Sequence, residues 1–253
     1  MLKLKQLILI SIIFISVIGF NNTNAQSEWE FNAGLYGWLA GMQGDIGIAN
    51  QDQQFEASVS DLLKNVKFTV GSHFEARNPH VSLIADIFFV GLGNEAEIQR
   101  TIGDSTIVDT TFVRNVEVNL DEWIIEGAVG YRVSEVFELL VASRIYAMNV
   151  EMLVEGEEIG TRNKTWVDIF FGARYQTSFA DNWYASLRAD IGFGGSTFAW
   201  FGNASLGYRF SELFSLAFAY RILSVDYESG SGVEYFKYDV VQNGFGLGAV
   251  FSF

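Results

Sequence analysis

Phe245-Gly246-Leu247-Gly248-Ala249-Val250-Phe251-Ser252-Phe253 is the stretch whose alternation decides how the rest of the chain is read. Phe245, Leu247, Ala249, Phe251 and Phe253 fall on one face, and Gly246, Gly248, Val250 and Ser252 on the other. Period two places a single apolar face on a strand, whereas a helix would scatter the same residues around its axis. Residues 183–191 repeat the pattern, with Trp183, Ala185, Leu187, Ala189 and Ile191 against Tyr184, Ser186, Arg188 and Asp190. Residues 66–77 set Val66, Phe68, Val70 and Phe74 against Lys67, Thr69, His73, Glu75 and Arg77.

Working outward, further alternating segments lie near 28–40, 81–92, 115–133, 137–150, 166–178, 199–210 and 214–226. Segment 115–133 changes phase near Asp121, which predicts a bulge there. Tight connections at Asn78-Pro79-His80, Ser134-Glu135, Ala180-Asp181-Asn182 and Ser211-Glu212 alternate with longer ones near 41–65, 93–114, 151–165, 193–198 and 227–235. A short helical turn is expected at Ser60–Leu63. The run Gly130-Tyr131-Arg132-Val133-Ser134-Glu135 recurs as Gly207-Tyr208-Arg209-Phe210-Ser211-Glu212, which reads as one hairpin design reused in one sheet. Short turns at one end and longer loops at the other predict an all-β, transmembrane, antiparallel up-and-down barrel of about ten strands. Eight or twelve follow if one connection is misread.

The two faces differ in charge. Trp29, Phe31, Phe68, Val81, Leu83, Ile125, Val141, Ile169, Leu187, Leu206, Phe218 and Phe251 share the uncharged face. The opposite face carries Lys67, Arg77, Arg132, Arg144, Arg174, Arg188, Arg209 and Arg221, with Glu30, Glu75, Asp86, Glu126, Asp168 and Asp190. An Arg or Lys facing lipid at the midplane costs about 2–4 kcal/mol, so these charges must face the lumen. Aromatics gather where strands should end: Trp29, Tyr131, Tyr175, Trp183, Tyr208 and Phe253 by the tight turns, Trp123 and Trp200 toward the other rim. Rings at both borders are expected of membrane-interface girdles.

Composition agrees. The 253 residues hold 25 Gly, 39 aromatics, one Pro and no Cys, and carry a formal charge of −14. The missing Cys excludes disulfides, thiolate metal sites, a cysteine nucleophile and a lipid-carrying cysteine; the acidity argues against nucleic acid. Lys3, Lys5, the apolar run Leu7–Phe20 and Thr23-Asn24-Ala25 read as a cleavable secretory signal over 1–25, with 26–253 as one barrel domain. Removing the two lysines leaves 14 basic and 30 acidic residues, a charge of −16.

Three motifs carry a narrower likeness. Trp38-Leu39-Ala40-Gly41-Met42-Gln43-Gly44, His73-Phe74-Glu75-Ala76-Arg77 and Arg188-Ala189-Asp190-Ile191-Gly192 resemble those of a family of small Gram-negative outer-membrane β-barrels, porin-like and without established activity. Ala40 stands where that family often has Pro. The resemblance implies fold and outer-membrane location and brings no site residues. Phe253, with Phe251 and Leu247 in phase, looks like the terminal signal read by the barrel-assembly machinery, which makes that machinery an expected partner beside outer-membrane lipid and lipopolysaccharide.

For function, three readings stand. The lumen charges could line a narrow passive channel for small solutes or ions with an acidic mouth. They could instead pair into a plug, leaving a closed structural or interaction barrel whose acidic loops bind lipopolysaccharide or a partner. His73, two residues from Glu75 on the same face, could orient a base for hydrolysis, although no serine nucleophile in motif context accompanies it. A non-enzymatic barrel without cofactor or metal is the expectation. Acid-rich loops at Glu151, Glu155, Glu157 and Glu158, and at Asp226, Glu228 and Glu234, offer oxygen ligands but no calcium-loop spacing. Ile191-Gly192-Phe193-Gly194-Gly195-Ser196 superficially suggests a phosphate loop, yet lacks the Lys and the following helix.

Overall fold

The computed structural model describes residues 29–48, 51–57, 66–102, 110–154 and 156–253. Side chains are described at these positions except 51–57, 66–68, 92–118, 152, 154 and 157–159. The expected secretory signal, the expected helical turn near 60, and Glu155 lie outside the described residues; so do the side chains of Lys67, Glu157 and Glu158.

The alternating segments form strands β1 (Glu30–Ile48), β2 (Gln51–Ala57), β3 (Val66–Arg77), β4 (Val81–Ile102), β5 (Thr110–Arg132), β6 (Phe137–Val154), β7 (Glu157–Ser178), β8 (Trp183–Gly194), β9 (Phe198–Arg209), β10 (Phe214–Ser229) and β11 (Phe236–Ser252). Apart from β2 and β3, neighbours in sequence pair antiparallel, and β1 pairs β11 from Asn32↔Ser252 to Ile48↔Phe236, closing a ring of ten strands. Phe31 and Phe253 exchange backbone hydrogen bonds at 3.2 and 2.9 Å, sealing the seam at the short-turn end. Closure matters physically, because an open edge in hydrocarbon would leave backbone donors and acceptors without partners. The eleventh strand, β2, folds back on the far half of β1 (Met42↔Ala57 to Ile48↔Gln51), while β3 takes the near half of the same edge (Glu30↔Arg77 to Tyr36↔Gly71).

The repeated hexapeptide makes the same turn twice. In one, Phe137 N–H donates to Ser134 Oγ at 3.1 Å while Val133 N–H reaches the Phe137 carbonyl; in the other, Phe214 N–H donates to Ser211 Oγ at 3.1 Å while Phe210 N–H reaches the Phe214 carbonyl. At Asn78-Pro79-His80, Asn78 Oδ1 accepts from the backbone of both His80 and Val81. A short polar side chain thus holds each of these turns while Pro79, lacking an N–H, sits where no ladder bond is needed.

Two expectations change. The longer connections are mostly strand: β4 and β5 run 22 and 23 residues and stay paired out to Ile102↔Thr110. Spanning a bilayer takes about 9–11 tilted residues, so the outer halves of these hairpins stand beyond the membrane. Nor is there a bulge near Asp121. The register runs unbroken through Leu92↔Leu120 and Gly91↔Asp121 on one side and Leu120↔Val150 and Asp121↔Asn149 on the other. Leu120 therefore faces inward, and the phase change in the sequence marks a change in what fills the lumen.

Candidate functional site

Inward-facing positions follow the period-two register, but the lumen has two halves with different contents. Near the tight turns it is ionic. At the mouth Arg77 pairs with Glu30 at 2.9 Å and reaches Gln176. Deeper, Arg174 donates to Glu75 at 2.6 and 3.1 Å and to Glu138 at 2.8 Å, and Glu138 also accepts from Ser82. Glu75 lies 3.8 Å from His73, whose other ring nitrogen meets Asp86 at 3.1 Å. Tyr36 donates to Asp86 at 2.6 Å and accepts from Arg221 at 3.0 Å. The result is one polar chain across the barrel, Glu138–Arg174–Glu75–His73–Asp86–Tyr36–Arg221. A second cluster lies beside it. Arg144 and Arg188 both pair with Glu126 and with Asp190, Arg188 at 2.7 and 2.8 Å.

Buried charges are tolerated only when paired and hydrogen-bonded, and the planar guanidinium fork suits two carboxylates at once. Aromatic faces complete the shell: Arg144 lies 3.9 Å over the Phe170 ring. Glycine makes room for this packing. A Cβ on Gly71 would collide with the ring of Tyr36, and one on Gly207 with the ring of Tyr184.

The outer face is the reverse. Leu35, Leu247 and Phe218 are 62%, 61% and 51% exposed, and large apolar side chains from every strand of the ring whose side chains are described join them. An apolar belt running round the whole wall exceeds anything a water-soluble surface carries as a patch. With ions inside and hydrocarbon-compatible groups outside, the wall is built for lipid. The chain is a transmembrane β-barrel.

Trp29, Tyr131, Tyr175, Trp183, Tyr208 and Phe253 sit at the short-turn end of the barrel, with Trp183 and Tyr208 edge to face at 5.0 Å. Trp123 packs on Phe89 at 4.6 Å on the other rim, and Trp200 lies at the start of β9. Arg132 donates to the carbonyls of Asn78 and Glu135, tying two tight turns together at the edge of the lumen. Arg209 reaches Ser178 and covers the Tyr184 ring at 4.9 Å. Asp168 is fully buried near the β8–β9 connection and accepts from Ser196 N–H at 2.7 Å, so the glycine-rich run 191–196 is a strand end and turn. His73 has carboxylates as its hydrogen-bonding and ion-pair partners among the described residues, and no hydroxyl is set against it as a nucleophile would be.

Toward the outside the barrel is filled by apolar and aromatic side chains. Trp166 stacks between Tyr146, at 5.1 Å, and Tyr227, at 3.9 Å, with Tyr238 tilted against it at 6.2 Å. Leu120, Val150, Phe170, Val225, Phe236 and Val240 close around these rings and are buried. Set into this packing is Glu122, fully buried, accepting from Gln242 at 2.5 Å and Tyr238 at 3.4 Å. Below it the lumen widens into a chamber of about 730 Å³, lined from Glu30, Arg77, Arg209 and Phe253 at the mouth on the tight-turn side to Trp38, Phe88, Ile124, Phe201, Arg221 and Leu223 at the closed end.

Sequence reasoning missed Glu122, Glu138, Gln242 and Tyr36. Glu138 shares its parity with Arg144, and Glu122 with Glu126, so the signal existed for both; the bulge expected at Asp121 hid the second. Above the belt, Asp45, Asp239 and Asp226 are adjacent in register on β1, β11 and β10, and Lys237 meets Asp45 at 3.3 Å. Among the described residues no group of three or more His, Asp or Glu is arranged to hold a metal ion.

No family model matches the chain, and no curated protein does. Solved structures are similar to the chain only at low identity. The attachment invasion locus protein Ail of Yersinia pestis is 10% identical, with a TM-score of 0.37 over 89% of this chain and 99% of that one. Neisserial surface protein A is 8% identical, with a TM-score of 0.34 over 90% and 98%. An outer-membrane channel from Pseudomonas putida F1 is 7% identical, with a TM-score of 0.37 over 93% and 98%.

Proposed function

We propose that this barrel is non-enzymatic and closed to ions, and that it works through the acidic hairpins it holds above the membrane, on lipopolysaccharide or a partner. The observation that carries this reading is the packing around Trp166. Small barrels can be filled by their own side chains, and here five strands, β5, β6, β7, β10 and β11, send rings and aliphatic groups to the same level. Ions do not cross a dry apolar plug. The ionic half below it supports the same reading, because most of its arginines already face carboxylates. The test is planar-bilayer conductance of refolded protein, with heat-modifiable gel migration as proof of folding. A silent folded barrel is expected, and discrete steps from wild-type protein would overturn closure.

One observation favours the channel reading instead. Glu122, Gln242 and Tyr238 place a polar seam inside the plug, and a carboxylate there would select cations. The same bilayer recording decides, since that reading requires cation-selective steps that Glu122→Gln abolishes.

A further inference from the structure

The chamber has two unlike walls. Strands β3 to β8 fill one side with long charged side chains, while β10 and β11 offer Ala217, Ala219, Gly246, Gly248 and Val250. The small wall is what leaves the space, and about 730 Å³ falls within the range of small-molecule sites, roughly 300–1,000 Å³. Its charges are unevenly matched. Arg77, Arg144, Arg174 and Arg188 each pair with carboxylates. Arg221, at the closed end, makes no ion pair among the described residues. Its guanidinium donates to the Tyr36 hydroxyl and lies 4.8, 5.3 and 5.4 Å from the rings of Tyr36, Trp38 and Phe201. Asp86, next in that chain of contacts, is engaged by Tyr36 and His73. Arg221 therefore reaches Asp86 only through the Tyr36 hydroxyl, and among the described residues no carboxylate is bonded to its guanidinium directly.

We propose that the chamber is a binding site for a small organic carboxylate with a flat or slim apolar body, reached from the periplasm. The carboxylate sits on Arg221, whose fork offers paired donors, and the body lies against Phe88, Phe201 and Leu223. This gives the Arg221 guanidinium the direct carboxylate partner that Asp86, set behind the Tyr36 hydroxyl, does not provide, and covers the apolar end of the chamber with apolar surface. It holds whatever the hairpins bind, since no hairpin residue beyond the membrane lines the chamber.

The experiment titrates benzoate, hexanoate and the neutral benzyl alcohol into the full barrel in lipid nanodiscs by calorimetry. At least one carboxylate should saturate a single site and bind about tenfold or more tighter than the alcohol, the effect of one charge-assisted pair. Arg221→Gln should weaken it by about tenfold or more while Arg221→Lys keeps part of the affinity. If Arg221→Gln fails to fold, the wild-type preference for carboxylate over alcohol and the Arg221→Lys value decide. Absence of saturable binding by both carboxylates, or equal affinity for the alcohol, overturns the proposal; so does unchanged affinity in folded Arg221→Gln.

Discussion

Trp166 and Tyr227 stack inside the barrel with ring centroids 3.9 Å apart and planes 9° from parallel. They come from β7 and β10, with β8 and β9 between them in the wall, so this contact spans the lumen and does not run along it. Trp166 is fixed further by Nε1–H donating to Ser196 Oγ at 2.9 Å. Removing both rings should open the plug. We expect Trp166→Ala with Tyr227→Ala to give conductance steps in bilayers where wild type gives none. Trp166→Ala alone should lower stability by about 3–5 kcal/mol, read from urea unfolding in detergent.

Arg174 joins Glu75 and Glu138, both buried, across three strands. Replacing Arg174 with Met strands two carboxylates without a cation, which should cost about 3–5 kcal/mol in the same assay. Adding Glu75→Gln and Glu138→Gln should restore most of that loss. A triple variant no more stable than the single one would mean that the pairs matter little.

Gly71 lies under the Tyr36 ring, and a methyl there must displace it. Gly71→Ala should therefore destabilise by about 1–3 kcal/mol through overpacking. In a Tyr36→Ala background the same change should be nearly neutral, and a double-mutant cycle measures the difference.

The β4–β5 hairpin is paired to β6 only as far as Val116↔Val154, so its tip beyond that point stands on its own two strands. Replacing residues 97–114 by a short turn should leave heat-modifiable migration unchanged and reduce binding to lipopolysaccharide vesicles. Unchanged vesicle binding would move the interaction to other hairpins.

If Arg144 and Arg188 act as structural partners of Glu126 and Asp190, their neutral replacement should destabilise the barrel without producing current. Arg144→Gln with Arg188→Gln, recorded in the bilayer beside wild type, checks this. Steps from the double variant would show that the ionic cluster, and not the rings above it, closes the lumen.

The barrel itself was legible from local pattern. Alternation along Trp183–Ile191 and Phe245–Phe253 is a property of adjacent residues, and lipid acts on each outward side chain separately, so face, register parity and tight turns could be read without knowing the fold. The repeated Gly-Tyr-Arg-x-Ser-Glu hexapeptide encoded its turn for the same reason. What closes the lumen was not legible. With a bulge expected at Asp121, Leu120 looks like a lipid-facing residue in sequence, and only its pairing places it inside, because apolar groups suit both a hydrocarbon exterior and a dry plug. The partners of the lumen charges were equally hidden: Arg174 and Glu75 are 99 positions apart, and Arg221 and Tyr36 are 185 apart. Chain alternation determines which way a side chain points. Which distant side chain it meets, and whether any space remains between them, is decided only when the sheet closes on itself.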